Sequence, residues 1–204
     1  MKRLVVPALA LLMTVGVAPR ASAATFTLDS FSISYNQVDP GLKLVVAPIV
    51  PFGGNFTTPD LQVGDSYTFD LFHLAVAEGS IEDDDMSAKP ISVSFNFNPP
   101  MASGNLSGTT IGGEILFGLL GEWAAVNWNN PLVLNFGNGG QFTLALQSGI
   151  FASGIPGNVT NLFNGKDIAA TLTYTAASVP EPAMMVLFGT GALGLAARLR
   201  RRRQ

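Results

Sequence analysis

Residues 91–98, ISVSFNFN, alternate apolar and polar side chains without a break. A period of two is the spacing of a strand with one buried face, and it is incompatible with the 3.6-residue period of an amphipathic helix. Ile91, Val93, Phe95 and Phe97 then face a core, and Ser92, Ser94, Asn96 and Asn98 face away. Similar patterning recurs between Ala24 and Ser178, and no long helical pattern interrupts it.

Other segments fit the same scheme with local irregularities. In TFTLDSFSISY the apolar phase changes between Leu28 and Phe31, which predicts a bulge or tight bend at Asp29 and Ser30. SYTFDLFHLAVA is apolar on both faces over part of its length, as a central strand would be. Read as unbroken, it places His73 on one face with Tyr67, Phe69 and Leu71, and Asp70 on the other. PLVLNF and QFTLAL flank GNGG, a hairpin signal because Asn-Gly accepts positive φ. DIAATLTYTA reads as the last strand. Segments 42–50 and 114–128 read as strands too, with a helical turn allowed in LLGEWAAVNW, while Gly, Asn, Ser and Pro punctuate the intervals. About eight to ten short strands at this spacing predict an all-β single domain over residues 24–178, a β-sandwich or jelly roll.

The chain has no cysteine, which excludes a disulfide framework, thiolate metal sites and cysteine nucleophiles. Residues 24–178 hold three lysines (Lys43, Lys89, Lys166) against thirteen acidic residues, a net −10. A body this acidic repels phosphate backbones, so no nucleic-acid partner is expected.

Both ends differ from the body. Residues 1–23 combine basic Lys2 and Arg3, an apolar run from Leu4 to Val17, and a small-residue site at Ala21-Ser22-Ala23. That is the layout of a secretory signal peptide cut after Ala23, with the Sec translocon and signal peptidase as partners. At the other end, Gly189, Gly191 and Gly194 have dinucleotide-loop spacing, yet only ten residues follow and none is acidic, so no βαβ unit can form. Ala183 to Ala197 is instead fifteen uncharged residues, as a helix about 22 Å long. It reads as a weak single transmembrane helix whose basic end (Arg198, Arg200, Arg201, Arg202, Arg203) stays cytoplasmic.

Before that span stand Pro180, Glu181 and Pro182, which hold the backbone extended and stop both strand and helix. The ordered trio, the short apolar span and the arginine cluster in residues 179–204 together resemble a PEP-CTERM sorting signal. The resemblance implies an exosortase substrate, anchored transiently in the inner membrane and then released to the cell surface or extracellular matrix of an exopolysaccharide-making bacterium. It covers only the C-terminal segment, and the central domain resembles no family.

Candidate chemistry in the body is sparse. Gly64-Asp65-Ser66-Tyr67 with Asp70 and His73 resembles hydrolase blocks, but Ser66 and His73 lie about 23 Å apart along one strand, far beyond a nucleophile–base contact. His73 is the single histidine, so a hydrolytic zinc site lacks partners. AEGSIEDDDMSAKP is the dense acidic run; it reads as a solvated loop, with Glu82, Asp83 and Asp85 offering oxygen ligands to Ca²⁺ but not at EF-hand spacing. Three N-x-S/T sequons, at Asn55, Asn105 and Asn158, mark surface turns. Trp123 and Trp128, beside Asn127, Asn129 and Asn130, offer a sugar-stacking platform or, alternatively, core packing. The expectation is a non-enzymatic surface or matrix module without a required cofactor; the alternative is a carbohydrate-binding or polysaccharide-modifying β-domain touching exopolysaccharide.

Overall fold

The computed structural model describes residues 23–50, 56–115, 121–129, 131–154 and 165–178. The signal segment, the Pro180–Pro182 motif, the apolar span with its arginine tail, Asn55, Asn130 and Asn158 lie outside the described residues.

Eleven strands are described: β1 (Thr27–Ser34), β2 (Leu44–Pro48), β3 (Phe56–Thr57), β4 (Ser66–Val76), β5 (Lys89–Phe97), β6 (Ala102–Ile115), β7 (Gly121–Trp128), β8 (Leu132–Phe136), β9 (Gly140–Leu146), β10 (Gly149–Gly154) and β11 (Lys166–Ala176). A 3₁₀ turn, Asp83–Met86, lies between β4 and β5. Six strands form one sheet in the order β10-β7-β6-β5-β1-β3, and five form a second in the order β2-β4-β11-β9-β8. The architecture is the expected β-sandwich: Val93, Phe95, Phe97 and Leu106 from the first sheet meet Leu71, Phe142, Leu144 and Leu172 from the second in one buried cluster. Each such side chain contributes about 1.5–3 kcal/mol of transfer free energy.

Alternation in β5 holds, with Ile91, Val93, Phe95 and Phe97 at most 2% exposed. The register of β1 against β5 skips Asp29, so the bulge falls where the phase change placed it. The β8–β9 hairpin turns through Gly137 and Gly139, at φ of +48° and +77°.

Three readings need correction. First, β4 is the expected central strand, between β2 and β11 with Leu74, Ala75 and Val76 all buried, but it is not unbroken. Its register against β11 passes from Asp70↔Ala169 to Phe72↔Ile168, leaving Leu71 as an extra residue. Both Leu71 and Phe72 therefore turn inward, and the Leu71 carbonyl accepts from Ile49 and Val50 N–H groups at the end of β2. Beyond the bulge the parity is reversed, so His73 leaves the face of Tyr67, Phe69 and Leu71 and joins Asp70 outside. Second, residues 121–128 form strand and no helical turn. Third, the 14-residue β6 occupies a stretch that reads as loop punctuation. Its inward positions include Gly104, Gly108 and Gly112, where an added Cβ would stand 2.7 Å from Leu134, 2.5 Å from the Asn127 carbonyl oxygen and 2.8 Å from Ile81. Glycine there lets neighbouring elements approach.

Candidate functional site

The described body ends in the middle of a sheet. β11 is flanked by β4 on one side and β9 on the other, with Tyr174 1% exposed near its end. Tyr174, Phe26 and Phe142 close this end of the core, with ring centroids 5.2 Å apart for Phe26–Tyr174 and 4.8 Å for Phe26–Phe142. The N-terminal segment is tied in nearby. Ala24 and Leu61 exchange backbone hydrogen bonds of 2.9 Å, and Phe26 N–H donates to Thr58 Oγ1 at 3.0 Å. Ordered pairing thus begins one residue after Ala23, and the last strand stops two residues before Ser178.

The acidic run folds back on the body. Glu78 accepts from the Lys43 N–H at 2.7 Å, and Asp84 accepts from the Gly41 N–H at 2.7 Å. Asp85 accepts from the Glu82 N–H at 2.8 Å and is 1% exposed; its other oxygen has no hydrogen-bond partner among the described residues. Glu122, 3% exposed on β7, accepts from the Ile81 N–H at 3.1 Å. Burial pushes the Glu78 carboxyl up to about 7, opposed by the hydrogen bond from Lys43. Burial also raises Asp85, opposed by the bond from Glu82. Glu82 and Asp83 are exposed while Asp85 is buried, and among the described residues no group of three or more acidic or histidine side chains is placed to hold a metal ion. These carboxylates anchor a loop through backbone amides, a task that the charge run alone does not reveal.

Ser66 and His73 are held at opposite ends of the β4–β11 pairing. Ser66 meets the Thr173 hydroxyl at 2.8 Å, and His73 Nδ1 meets Asp167 Oδ1 at 2.7 Å. Asp65 accepts from the Gln62 N–H at 2.9 Å and so shapes its own turn. The hydrolase-like block is therefore a strand start, as its spacing implies. Asp167 as the histidine's partner follows from sheet order and has no local signal.

The two tryptophans are not brought together. They lie five positions apart on β7 and so on opposite faces. Trp128 is 4% exposed and packs edge-on against Phe72 at 6.4 Å. Its Nε1 has no hydrogen-bond partner among the described residues. Trp123 lies half-buried outside, its indole over Gly113. A joint stacking platform is excluded by this parity. Asn129 binds back to Ser107.

No curated protein and no solved structure matches the chain. A family model, the PEP-CTERM protein-sorting motif, matches residues 178–202. The chain carries a PEP-CTERM sorting signal. The signal supports an exported protein targeted to an exosortase. Pro180, Glu181, Pro182 and Arg198 to Arg202 fall within the match, which starts at Ser178, the last described residue of the body. The match therefore includes none of the described strands. Among the described residues no helix is long and apolar enough to cross a membrane; the 183–197 span lies outside them.

Proposed function

We propose that this chain is exported through a signal peptide cut after Ala23, held briefly in the inner membrane, and cut by an exosortase near Pro180–Pro182. The product is an acidic, non-enzymatic β-sandwich delivered to the cell surface or exopolysaccharide matrix as a structural or interaction module. The observation that carries the reading is the join between Ala176, where β11 ends, and Ser178, where the sorting match begins. An exosortase gripping Pro180–Pro182 leaves every described strand intact. A cut a few residues earlier would strip Tyr174 from the core and open the centre of the five-stranded sheet.

The test is mass spectrometry of terminal peptides from extracellular and membrane fractions, in native cells and in cells lacking the exosortase. The expected product begins at Ala24 and ends near Pro180–Pro182, and is absent from the deficient cells. An intact C-terminus through Gln204 in the membranes of both strains overturns the release reading.

A further inference from the structure

We propose that the outer face of the six-stranded sheet binds an uncharged polysaccharide presented as side-by-side chains; the proposal rests on the reading of the body as a matrix interaction module and names its ligand class.

Three adjacent strands, β1, β5 and β6, carry the face. Their registers align Ser34, Ser92 and Ser107 in one row, Ser32, Ser94 and Asn105 in the next, and Ser30, Asn96 and Ser103 in a third. Strand spacing of about 4.8 Å and a two-residue repeat of about 6.7 Å make this a regular grid, roughly 10 by 13 Å. Ser32, Ser94, Asn96, Asn105 and Ser107 are exposed. The array is held in place sideways: Asn105 Nδ2 donates to Ser94 Oγ at 2.9 Å, and Asn129 Nδ2 to Ser107 Oγ at 3.1 Å. A shallow groove of about 250 Å³ lies over its β1–β5 part, lined by Ser30, Phe31, Ser32, Ser94, Phe95 and Asn96.

Two features make this more than a wet surface. Asn is depleted in strands and Ser favours turns and caps, so strand propensity does not account for placing them at the centre of a sheet. The grid is also uncharged on a body of net −10, with Asp29 at its end reached by Asn96 at 3.4 Å. Hydroxyl and amide groups each donate and accept, which matches a polymer whose own groups are hydroxyls that do both. A neutral chain brings no charge to be desolvated against the face, whereas a polyanion is repelled by the rest of the molecule. A flat periodic array gains from many weak contacts at once, so a packed polysaccharide surface suits it better than a single free chain.

The experiment uses the full-length chain in mild detergent, with insoluble β-1,4-glucan and insoluble β-1,3-glucan as neutral probes and a polyuronate gel as the charged one. Retention is expected on a neutral glucan, insensitive to salt, with none on the polyuronate. The double substitution Ser94→Asp with Asn105→Asp lowers retention roughly tenfold or more by placing carboxylates under a neutral chain. Thr143→Asp, on the opposite sheet, leaves it unchanged. If the double variant melts early, Ser32→Lys with Ser107→Lys carries the test. Passage of the wild-type chain through both glucans, preference for the polyuronate, or equal loss with Thr143→Asp overturns the proposal. Retention by a chain that cells never cut keeps the face and refutes the release; a cut chain with no retention does the reverse.

Discussion

On the outer face of the five-stranded sheet, Thr68 meets Thr171 at 2.9 Å and Ser66 meets Thr173 at 2.8 Å, with Thr143 opposite Thr173 on the next strand. On the outer face of the six-stranded sheet, the corresponding central positions hold Ser32, Ser94 and Asn105. Both faces are polar, and either would keep the domain in water. Threonine, however, is β-branched and suits a pleated surface, while its hydroxyl finds a cross-strand partner. The first face is thus what strand stability asks for. It also carries charge, in Asp70 and the His73–Asp167 pair. The central rows of the second face, at Ser32, Ser94 and Asn105, lack both the branching and the charge; a Thr27–Thr57 pair lies only at its β1–β3 edge and Asp29 only at its end. Their difference separates residues that build the sandwich from residues that the sandwich displays.

The comparison presumes one shared core beneath both faces, and the largest expected effect comes from breaking that core. Gly108→Val puts a side chain where a Cβ already meets the Asn127 carbonyl oxygen at 2.5 Å and Trp128 at 2.8 Å. A loss of about 3 kcal/mol or more in urea unfolding is expected. An unchanged midpoint would mean that β6 and β7 are not in this register.

A smaller effect comes from exchanging the chemistry of the two faces. Thr171→Asn with Thr173→Asn should cost about 1–2 kcal/mol, since it removes β-branching and cross-strand hydroxyl contacts. Ser94→Thr with Asn105→Thr should raise stability by about 0.5–1 kcal/mol. Chemical denaturation of both pairs decides the matter. Destabilisation by the second pair would show that serine and asparagine serve the fold there, and the displayed-face reading would lose its physical basis.

Much of this was legible in the sequence, and the gaps have specific causes. The β5 strand, the Asp29 bulge and the glycine hairpin are local signals, readable from periodicity and turn chemistry. Strand β6 was hidden because Gly104, Gly108 and Gly112 sit at inward positions where apolar residues would have announced it. The Leu71 bulge was hidden because two consecutive inward residues look the same as two-sided burial. The sorting signal was readable because it is linear and needs no fold to assemble it. The grid was not, since its rows exist only once β1, β5 and β6 become neighbours. The Trp123–Trp128 pairing failed on information already present, because an odd separation on a strand divides two side chains between faces.

The last expected effect, reduced by solvent screening because Glu78 is only half-buried, is a pH dependence that belongs to neither outer face. Glu78 sits in the loop after β4, near the Lys43 backbone N–H and amine, Asp85 and Asp39, and burial raises its carboxyl from 4.5 to about 7. The folded state therefore holds this proton more tightly than the unfolded chain does. Stability from Glu78 is fully present below about pH 4.5 and is lost as pH rises towards about 7. Asp85 is raised by burial as well and acts in the same direction. The melting temperature should consequently be higher at pH 5 than at pH 8, and Glu78→Gln should reduce that difference while keeping an acceptor for the Lys43 N–H. Glucan retention by the grid should stay flat over the same range, because Ser32, Ser94 and Asn105 carry no proton that titrates there. A melting profile that rises with pH would place the dominant titration elsewhere in the body. A retention profile that tracks the melting profile would tie binding to the acidic loop and dissolve the distinction between the two faces.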